Sequence, residues 1–185
     1  MAVKTFTTGE VLTAADTNTY LNNGGLVYIK SQTIGSAVSL VTVSSAFSSD
    51  YDAYKIIVAG GAASGTTYLN FRVGTSGGPD TGSVYQQSFL HTTFTNTAAA
   101  VGNTGTVVTY AGSADANGLL AGVDVYSPNL ASKTIVSAFA AAQGSFSGQT
   151  TALVNTNTQY THFTIYTNAG TMTGGTITVY GYRKA

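Results

Sequence analysis

The sequence contains no cysteine and very little charge. Without cysteine, disulfide frameworks and cysteine-based metal sites are excluded, so burial alone has to hold the fold together. Lys and Arg number 7, Asp and Glu number 7, and charged residues are only 8% of the chain, about a third of the usual share. No basic cluster is present that could follow a phosphate backbone, so we expect no nucleic-acid partner.

Long apolar runs are also missing. No segment approaches the roughly 18 apolar residues of a membrane span, so we expect no membrane insertion. The first ten residues, MAVKTFTTGE, lack the apolar centre of a signal peptide. This predicts a protein that is made in a cytosol and stays soluble until it assembles. A formal net charge of zero removes the repulsion that keeps a lone domain dispersed. We therefore expect a subunit of a larger assembly.

The residues that are abundant favour β-strands. Hydrophobic residues make up 43% of the chain, with 12 Tyr and 8 Phe and many Val, Ile and Thr. Apolar and polar residues alternate in about ten short segments separated by Gly, Asn, Ser and Asp, as in sandwiches and barrels. The predicted strands are 26–31, 37–47, 54–60, 68–74, 83–94, 105–112, 119–127, 133–141, 161–168 and 175–184. We expect an all-β, jelly-roll-like antiparallel β-sandwich over residues 26–185.

The segment before the sandwich, residues 1–25, has a different pattern. Within it, GEVLTAADTNTYLNNGG predicts a short helix. Thr13 is the expected N-cap, and Asp16 at the third helical position completes a capping box. The helix would be about ten residues long, whereas isolated helices below roughly 12–15 residues are marginal in water. We therefore expect this helix to dock on another surface.

Candidate catalytic and metal-binding groups are few. Asp50 and Asp52 flank Tyr51 and could form an acid–base pair, but residues two positions apart in a turn are better explained as turn formers. His91 and His162 lie inside predicted strands, where a surface or half-buried position is expected in preference to metal binding. We therefore expect no enzyme, no cofactor and no metal site.

Two loops resemble ligand-binding loops without meeting their requirements. VAGGAASGTT (58–67) lacks the G-K-[ST] ending of a phosphate loop and the helix that should follow, and it predicts a hairpin connection. SADANG (113–118) lacks the closing Glu of a calcium loop. Its last two residues, Asn117 and Gly118, predict a hairpin turn.

Three motifs in this sequence resemble those of tail-fibre and minor structural proteins of tailed bacteriophages. The stretch FTTGEVLTAADTNTYLNN (6–23) is similar to an N-terminal F-x-x-G-x-x-L-T-A-A-x-x-N motif. FSSDYDAYKIIVAG (47–60) resembles F-x-x-x-Y-D-x-Y-x-I. MTGGTITVYG (172–181) resembles a closing F-x-x-G-T-I-x-L-Y-G strand, with Met172 where an aromatic residue is usual.

The resemblance implies a virion protein that is assembled in the host cytoplasm. It implies a tail fibre, expected to be a homotrimer, whose N-terminal segment attaches to baseplate or tail proteins. The residues expected in this attachment are Phe6, Leu12, Thr13, Asp16, Asn18, Tyr20 and Leu21. The alternative is that the segment packs across its own sandwich or a trimer neighbour.

Residues 74–112 match no motif of the family, and there we expect the contacts that select the host. Tyr85, Phe89 and Tyr110 are the candidate host-binding residues, for a surface glycan held without a covalent bond. Two other functions stay open. One is a capsid decoration protein that clamps neighbouring subunits. The other is a depolymerase of host glycans, which the small number of carboxylates supports least.

Overall fold

The computed structural model describes residues 7–16, 25–142 and 145–184. Nearly all regular structure in these ranges is β-strand, preceded by one helical turn, α1 (Ala14–Asp16). The strands are β1 Leu26–Thr33, β2 Leu40–Val43, β3 Ala53–Ala59, β4 Ala62–Ala63, β5 Thr67–Thr75, β6 Gly78–Pro79, β7 Tyr85–Thr93, β8 Ala98–Gly105, β9 Val108–Asp115, β10 Gly118–Tyr126, β11 Thr134–Ala142, β12 Phe146–Val154, β13 His162–Thr167, β14 Met172–Thr173 and β15 Thr176–Tyr182.

The strands form two antiparallel sheets that share one strand. The long sheet has the order β1-β15-β3-β10-β11-β12-β7-β8. The short sheet has the order β2-β13-β5-β9-β10, with β6 paired to the end of β5. Residues 118–120 of β10 pair with β9, and residues 121–126 pair with β3. β10 therefore passes from one sheet into the other. We term β11, β12, β7 and β8 the extension, because they widen the long sheet beyond β10.

The two sheets pack face to face over one apolar core. Alternate residues of each strand point inward, as in β15, where Ile177 and Val179 are fully buried. Aromatic rings fill the centre. The ring of Phe163 lies 5.7 Å from that of Phe47 and 5.5 Å from that of Phe71. The prediction of an all-β antiparallel sandwich is confirmed.

Two of the sequence motifs meet in this fold. Segment 47–60 contains β3, and segment 172–181 contains most of β15, and these two strands pair. A Cβ atom at Gly181 would come within 2.4 Å of the Tyr51 ring, so this position needs glycine. The Lys184 ammonium lies 2.8 Å from the Asp52 carboxylate. Asp50 lies in a turn and accepts a hydrogen bond from the Ser48 hydroxyl at 3.0 Å. The turn-forming role predicted for this segment thus matches the observed hydrogen bonding.

The structure contains two long strands that the sequence did not predict, β8 and β12. β8 has the sequence AAAVGNTG, whose Ala, Gly and Asn residues are poor strand formers. β12 has Gly and Gln near its start, which interrupt the alternation of apolar residues. Both strands form because each pairs with β7 along its whole length.

Two predicted connections also differ from the structure. The single strand predicted over 37–47 is wrong, because Ala37 and Ser45 have φ of 51° and 50° and only β2 between them is extended. The hairpin predicted over 58–67 is wrong, because β3 and β5 belong to different sheets. The hairpin predicted at Asn117 and Gly118 is confirmed, since β9 and β10 pair there.

The predicted helix is described only at its start. The Thr13 backbone N–H donates to Asp16 Oδ2 at 3.1 Å, and the Asp16 N–H donates to Thr13 Oγ1 at 3.1 Å. These are the two reciprocal bonds of a capping box. The remainder of the predicted helix lies outside the described residues.

Candidate functional site

Four aromatic rings from three strands form a continuous pile, which we term the aromatic stack. Between ring centroids, Tyr68 of β5 lies 4.1 Å from Tyr110 of β9. Tyr110 stacks on Phe89 of β7 at 4.3 Å, and Phe89 stacks on His91 at 4.8 Å. Phe146 of β12 meets Phe89, His91 and Tyr110 edge-on at 5.4, 5.4 and 5.6 Å. Each such aromatic pair contributes about 0.5–1.5 kcal/mol beyond burial, so the stack fixes the extension against the short sheet.

Strand alternation and one glycine position the β7 side of the stack. Phe89 and His91 are two residues apart, so they lie on the same face of β7. Gly148 of β12 lies opposite His91 in the antiparallel pair. A Cβ atom at Gly148 would come within 2.3 Å of the Leu90 carbonyl oxygen. Any side chain there would push β7 away from β12 and separate Phe146 from the other rings.

Tyr110 reaches the stack through an unusual backbone conformation. Its φ is 54°, a region that bulky residues rarely adopt. Hydrogen bonds from the extension hold this part of β9. The Thr109 N–H donates to Gln87 Oε1 at 2.7 Å, and the Thr150 hydroxyl donates to the Tyr110 carbonyl at 2.9 Å. Such conformations cost about 1–3 kcal/mol and cluster at functional sites. This strain marks the stack as the candidate site.

Polar groups border the stack. Asn70 is 3% exposed, and its Oδ1 has no hydrogen-bond partner within the described ranges. The same holds for Nδ1 of His91. Arg72 donates from Nε to the Thr106 carbonyl at 2.8 Å, and its guanidinium lies 5.0 Å from the Tyr166 ring centroid. Polar groups thus alternate with ring surfaces along this side of the short sheet.

The tyrosine hydroxyls of this region stay protonated at neutral pH. Burial raises the pKa of Tyr68, and the neighbouring Tyr110 and Tyr166 raise it further. Burial also raises the pKa of Tyr166, against the opposing charge of Arg72. A protonated phenol both donates and accepts hydrogen bonds. The site therefore offers neutral hydrogen-bonding groups beside aromatic surface, a combination suited to a neutral ligand rich in hydroxyl groups.

The structure brings together two of the three predicted host-binding residues. Phe89 and Tyr110 are neighbours in the stack, where Phe89 is 1% exposed and Tyr110 is half-buried. Tyr85 lies at the other end of β7 and is fully buried. Its hydroxyl donates to the Asp80 carbonyl at 2.9 Å. Tyr85 thus supports the core and has no exposed surface for a ligand.

Sequence reasoning missed three members of the stack. Tyr68 and Phe146 were not singled out, and His91 was expected only as a surface or half-buried strand residue, which is where it lies. The spacing of Phe89 and His91 was a signal for a shared face. Nothing in the sequence connects Tyr68 and Phe146 to them, because the four strands involved are far apart along the chain.

The predicted attachment residues are described in part. Leu12 is 49% exposed, and Thr13 and Asp16 form the capping box. The other predicted attachment residues, which lie outside the described residues, are Phe6, Asn18, Tyr20 and Leu21.

A second surface feature, which we term the outer groove, lies on the outer face of the long sheet. It encloses about 780 Å³ and is lined mainly by β3, β10 and β11. Ile57, Leu120 and Phe139 line it and are 37%, 61% and 63% exposed. Gly122 lies opposite Ile57 and leaves the floor without a side chain. Contiguous exposed apolar surface of this kind marks an interaction face.

Neither a metal centre nor a membrane helix is found in the described part of the chain. No three His, Asp or Glu side chains there are grouped to hold a metal ion. No helix in the same residues is long and apolar enough to cross a membrane. A scan against protein-family models finds no matching family, and a search of curated proteins finds no match to the sequence.

Proposed function

We propose that this chain is a virion structural protein of a tailed bacteriophage, a tail fibre whose fold is a jelly roll. The strand order of the two sheets carries the proposal. Numbered one to eight along the chain, eight strands lie in the orders 1-8-3-6 and 2-7-4-5; they are β1, β2, β3, β5, β9, β10, β13 and β15. This is the order of two interlocked Greek keys, the jelly roll of viral capsid and lectin domains.

Fold alone does not identify a function, so the proposal also rests on the three sequence motifs. The motif residues Tyr51 and Gly181 pack together and join β3 to β15, in the centre of the long sheet. The third motif, at residues 6–23, lies before the sandwich. We propose that this N-terminal segment attaches the fibre to baseplate or tail proteins, because a helix of this length needs a docking surface.

The protein is proposed to act as a homo-oligomer, and the family resemblance implies a trimer. Leu120 and Phe139 in the outer groove are more than half exposed. Leaving such side chains in water costs about 25 cal/mol for each Å² of apolar surface. Covering this face with a neighbouring subunit recovers that free energy. The formal net charge of zero means that copies do not repel one another.

Host contact is proposed to occur at the aromatic stack, with a neutral surface glycan as ligand. Tyr110 and Phe89 each have ring neighbours on two sides. A ligand would therefore meet the rings at the two ends, Tyr68 and His91, together with Phe146. These three side chains are half-buried, so part of each is open to solvent. The neutral phenols beside them can hydrogen-bond to sugar hydroxyls.

The experiment that tests the proposed function is immunogold electron microscopy of phage particles with antibody raised against this chain. Label at the tail tip or fibres is expected. Label spread over the capsid would support the decoration protein instead, and absence of label from particles would overturn a virion role. In the same preparation, an excess of the purified chain should reduce phage adsorption, because it competes for the host ligand.

A further inference from the structure

The free strand edges of the sandwich are protected unequally. In the described residues, β1 and β8 end the long sheet and β2 ends the short sheet. Free edges usually carry a charge or a bulge, or are very short, because their unpaired backbone groups attract other strands. β1 carries Lys30 and has a register shift between Tyr28 and Lys30. β2 is 4 residues long. Both of these edges are therefore protected.

β8 has none of these protections. It is 8 residues long, AAAVGNTG, and contains neither a charged residue nor proline. It pairs with β7 without a register shift, from Ala98 opposite Thr92 to Gly105 opposite Tyr85. Among the described strands only β7 pairs with it. The other edge of β8 therefore presents unpaired N–H and C=O groups over about 27 Å, at about 3.4 Å per residue.

We propose that β8 pairs antiparallel with β8 of a second copy of this chain, across a two-fold axis. The two long sheets then become one continuous sheet, and the exposed backbone groups of both edges are satisfied. This pairing goes beyond the proposed function, because it defines an interface that the tail-fibre role does not require. It predicts even-numbered assemblies, either a dimer or two trimers joined as a hexamer.

The chemistry of the edge identifies a second copy as the partner. No Lys, Arg, Asp or Glu occurs between residues 81 and 114, so pairing two copies brings no like charges opposite each other. The protected edges β1 and β2 are poor partners for β8, which disfavours head-to-tail chains of subunits. The one matching edge on another copy is β8 itself. An interface that uses the same patch on both subunits is the usual form of a two-fold dimer.

The symmetry also limits the register. A two-fold axis perpendicular to the sheet keeps the inner faces on one side, so the residue on the axis lies opposite itself. Val101 and Gly102 are the central residues of β8, paired with Phe89 and Ser88 of β7. One of these two is expected on the axis. Opposed residues in antiparallel strands have Cα atoms about 4.5–5.5 Å apart, within the range for a disulfide.

Single-cysteine variants of the full chain test the pairing, because the protein has no cysteine of its own. Val101→Cys and Gly102→Cys are oxidised under mild conditions, and one of the two is expected to give a covalent dimer. Ser31→Cys, on the exposed part of the protected edge β1, is the control and should stay uncross-linked. Failure of both β8 variants to cross-link would overturn the proposal.

Analytical ultracentrifugation gives an independent readout. The full chain should sediment as a dimer or hexamer. Gly102→Lys should halve that mass or raise the dissociation constant by about tenfold or more, since it brings like charges together. A Cβ atom at Gly102 meets only the Gln87 carbonyl oxygen at 3.6 Å, so the variant can fold; Gly65→Lys, with no atom within 4 Å, is the matched control. A monomer, or a trimer with no larger species, would overturn the pairing and leave the tail-fibre proposal standing.

Discussion

The two halves of the long sheet bury and pair their side chains differently. In the half formed by β1, β15, β3 and β10, Asp124 accepts hydrogen bonds from Lys55 Nζ at 2.9 Å and from the Tyr182 hydroxyl at 2.8 Å. The four strands of the extension contain no Lys, Arg, Asp or Glu. Their polar groups are hydroxyls and amides instead. The first half is thus protected by charge, as isolated sheets need to be, and the extension is left open to partners.

The inner faces differ in the same direction. The first half buries large aliphatic residues such as Ile56, Val125 and Ile177. The extension buries Ala138 and Ala152 at comparable positions, together with the polar residues Gln87 and Thr150. Because the free energy from burial scales with apolar area, the first half contributes more stability per strand. The extension adds surface and the aromatic stack, and we infer that binding is its main role.

The largest expected effect compares phenylalanine truncations in the two regions. Phe163→Ala removes a fully buried ring that contacts Phe47 and Phe71. It should lower the free energy of unfolding by about 3–5 kcal/mol. Phe146→Ala removes a half-buried ring of the extension and should cost about 1 kcal/mol, as ordinary substitutions do. Chemical denaturation measures both. Equal losses would contradict the division into a stabilising half and a binding half.

The next effect tests whether the extension can loosen by itself. Gly148→Ala places a methyl group within 2.3 Å of the Leu90 carbonyl, and overpacking of this kind costs about 1–3 kcal/mol. Hydrogen exchange should become faster in β7, β8 and β12 and stay unchanged in β3 and β15. Binding of the chain to host cells should fall, because the stack is disrupted. Gly65→Ala, with open space around it, is the control. Faster exchange throughout the chain would show that the two regions unfold together.

Sequence reasoning succeeded where strands are rich in β-branched residues and failed where tertiary pairing decides. β3, with AYKIIVA, alternates clearly, and its predicted span of 54–60 differs from the observed one by a residue at each end. β8, with AAAVGNTG, has low strand propensity and exists because β7 pairs with it. Since strand propensity is a local property, no inspection of residues 98–105 alone would have found it.

The candidate site was predictable to a smaller extent. Phe89 and Tyr110 were selected and do contact each other. Tyr85 was selected with them because it shares the alternation of β7, but it is fully buried at the far end of the strand. The left-handed conformation of Tyr110, with φ of 54°, has no signal in the sequence. It depends on hydrogen bonds from Gln87 and Thr150, which come from strands distant along the chain.

The smallest expected effect uses the charged network that the extension lacks. Burial, together with the hydrogen bond to Asp124 and its charge, raises the pKa of Tyr182 from about 10 to about 12. The folded protein therefore holds the phenolic proton more tightly than the unfolded chain does. The stability from this group is complete below about pH 10 and is lost as the pH rises through about 12. The unfolding free energy should decline across that window, and in Tyr182→Phe it should decline less steeply. The difference should be small because solvent screens a partly exposed group. Tyr28→Phe, at an exposed ring whose hydroxyl bonds only to Ser31, is the control and should keep the original slope. Denaturation curves from about pH 9 to about pH 12 measure all three proteins. If Tyr182→Phe keeps the original slope as well, the Asp124 network does not contribute to the stability of the first half, and the contrast with the uncharged extension rests on burial alone.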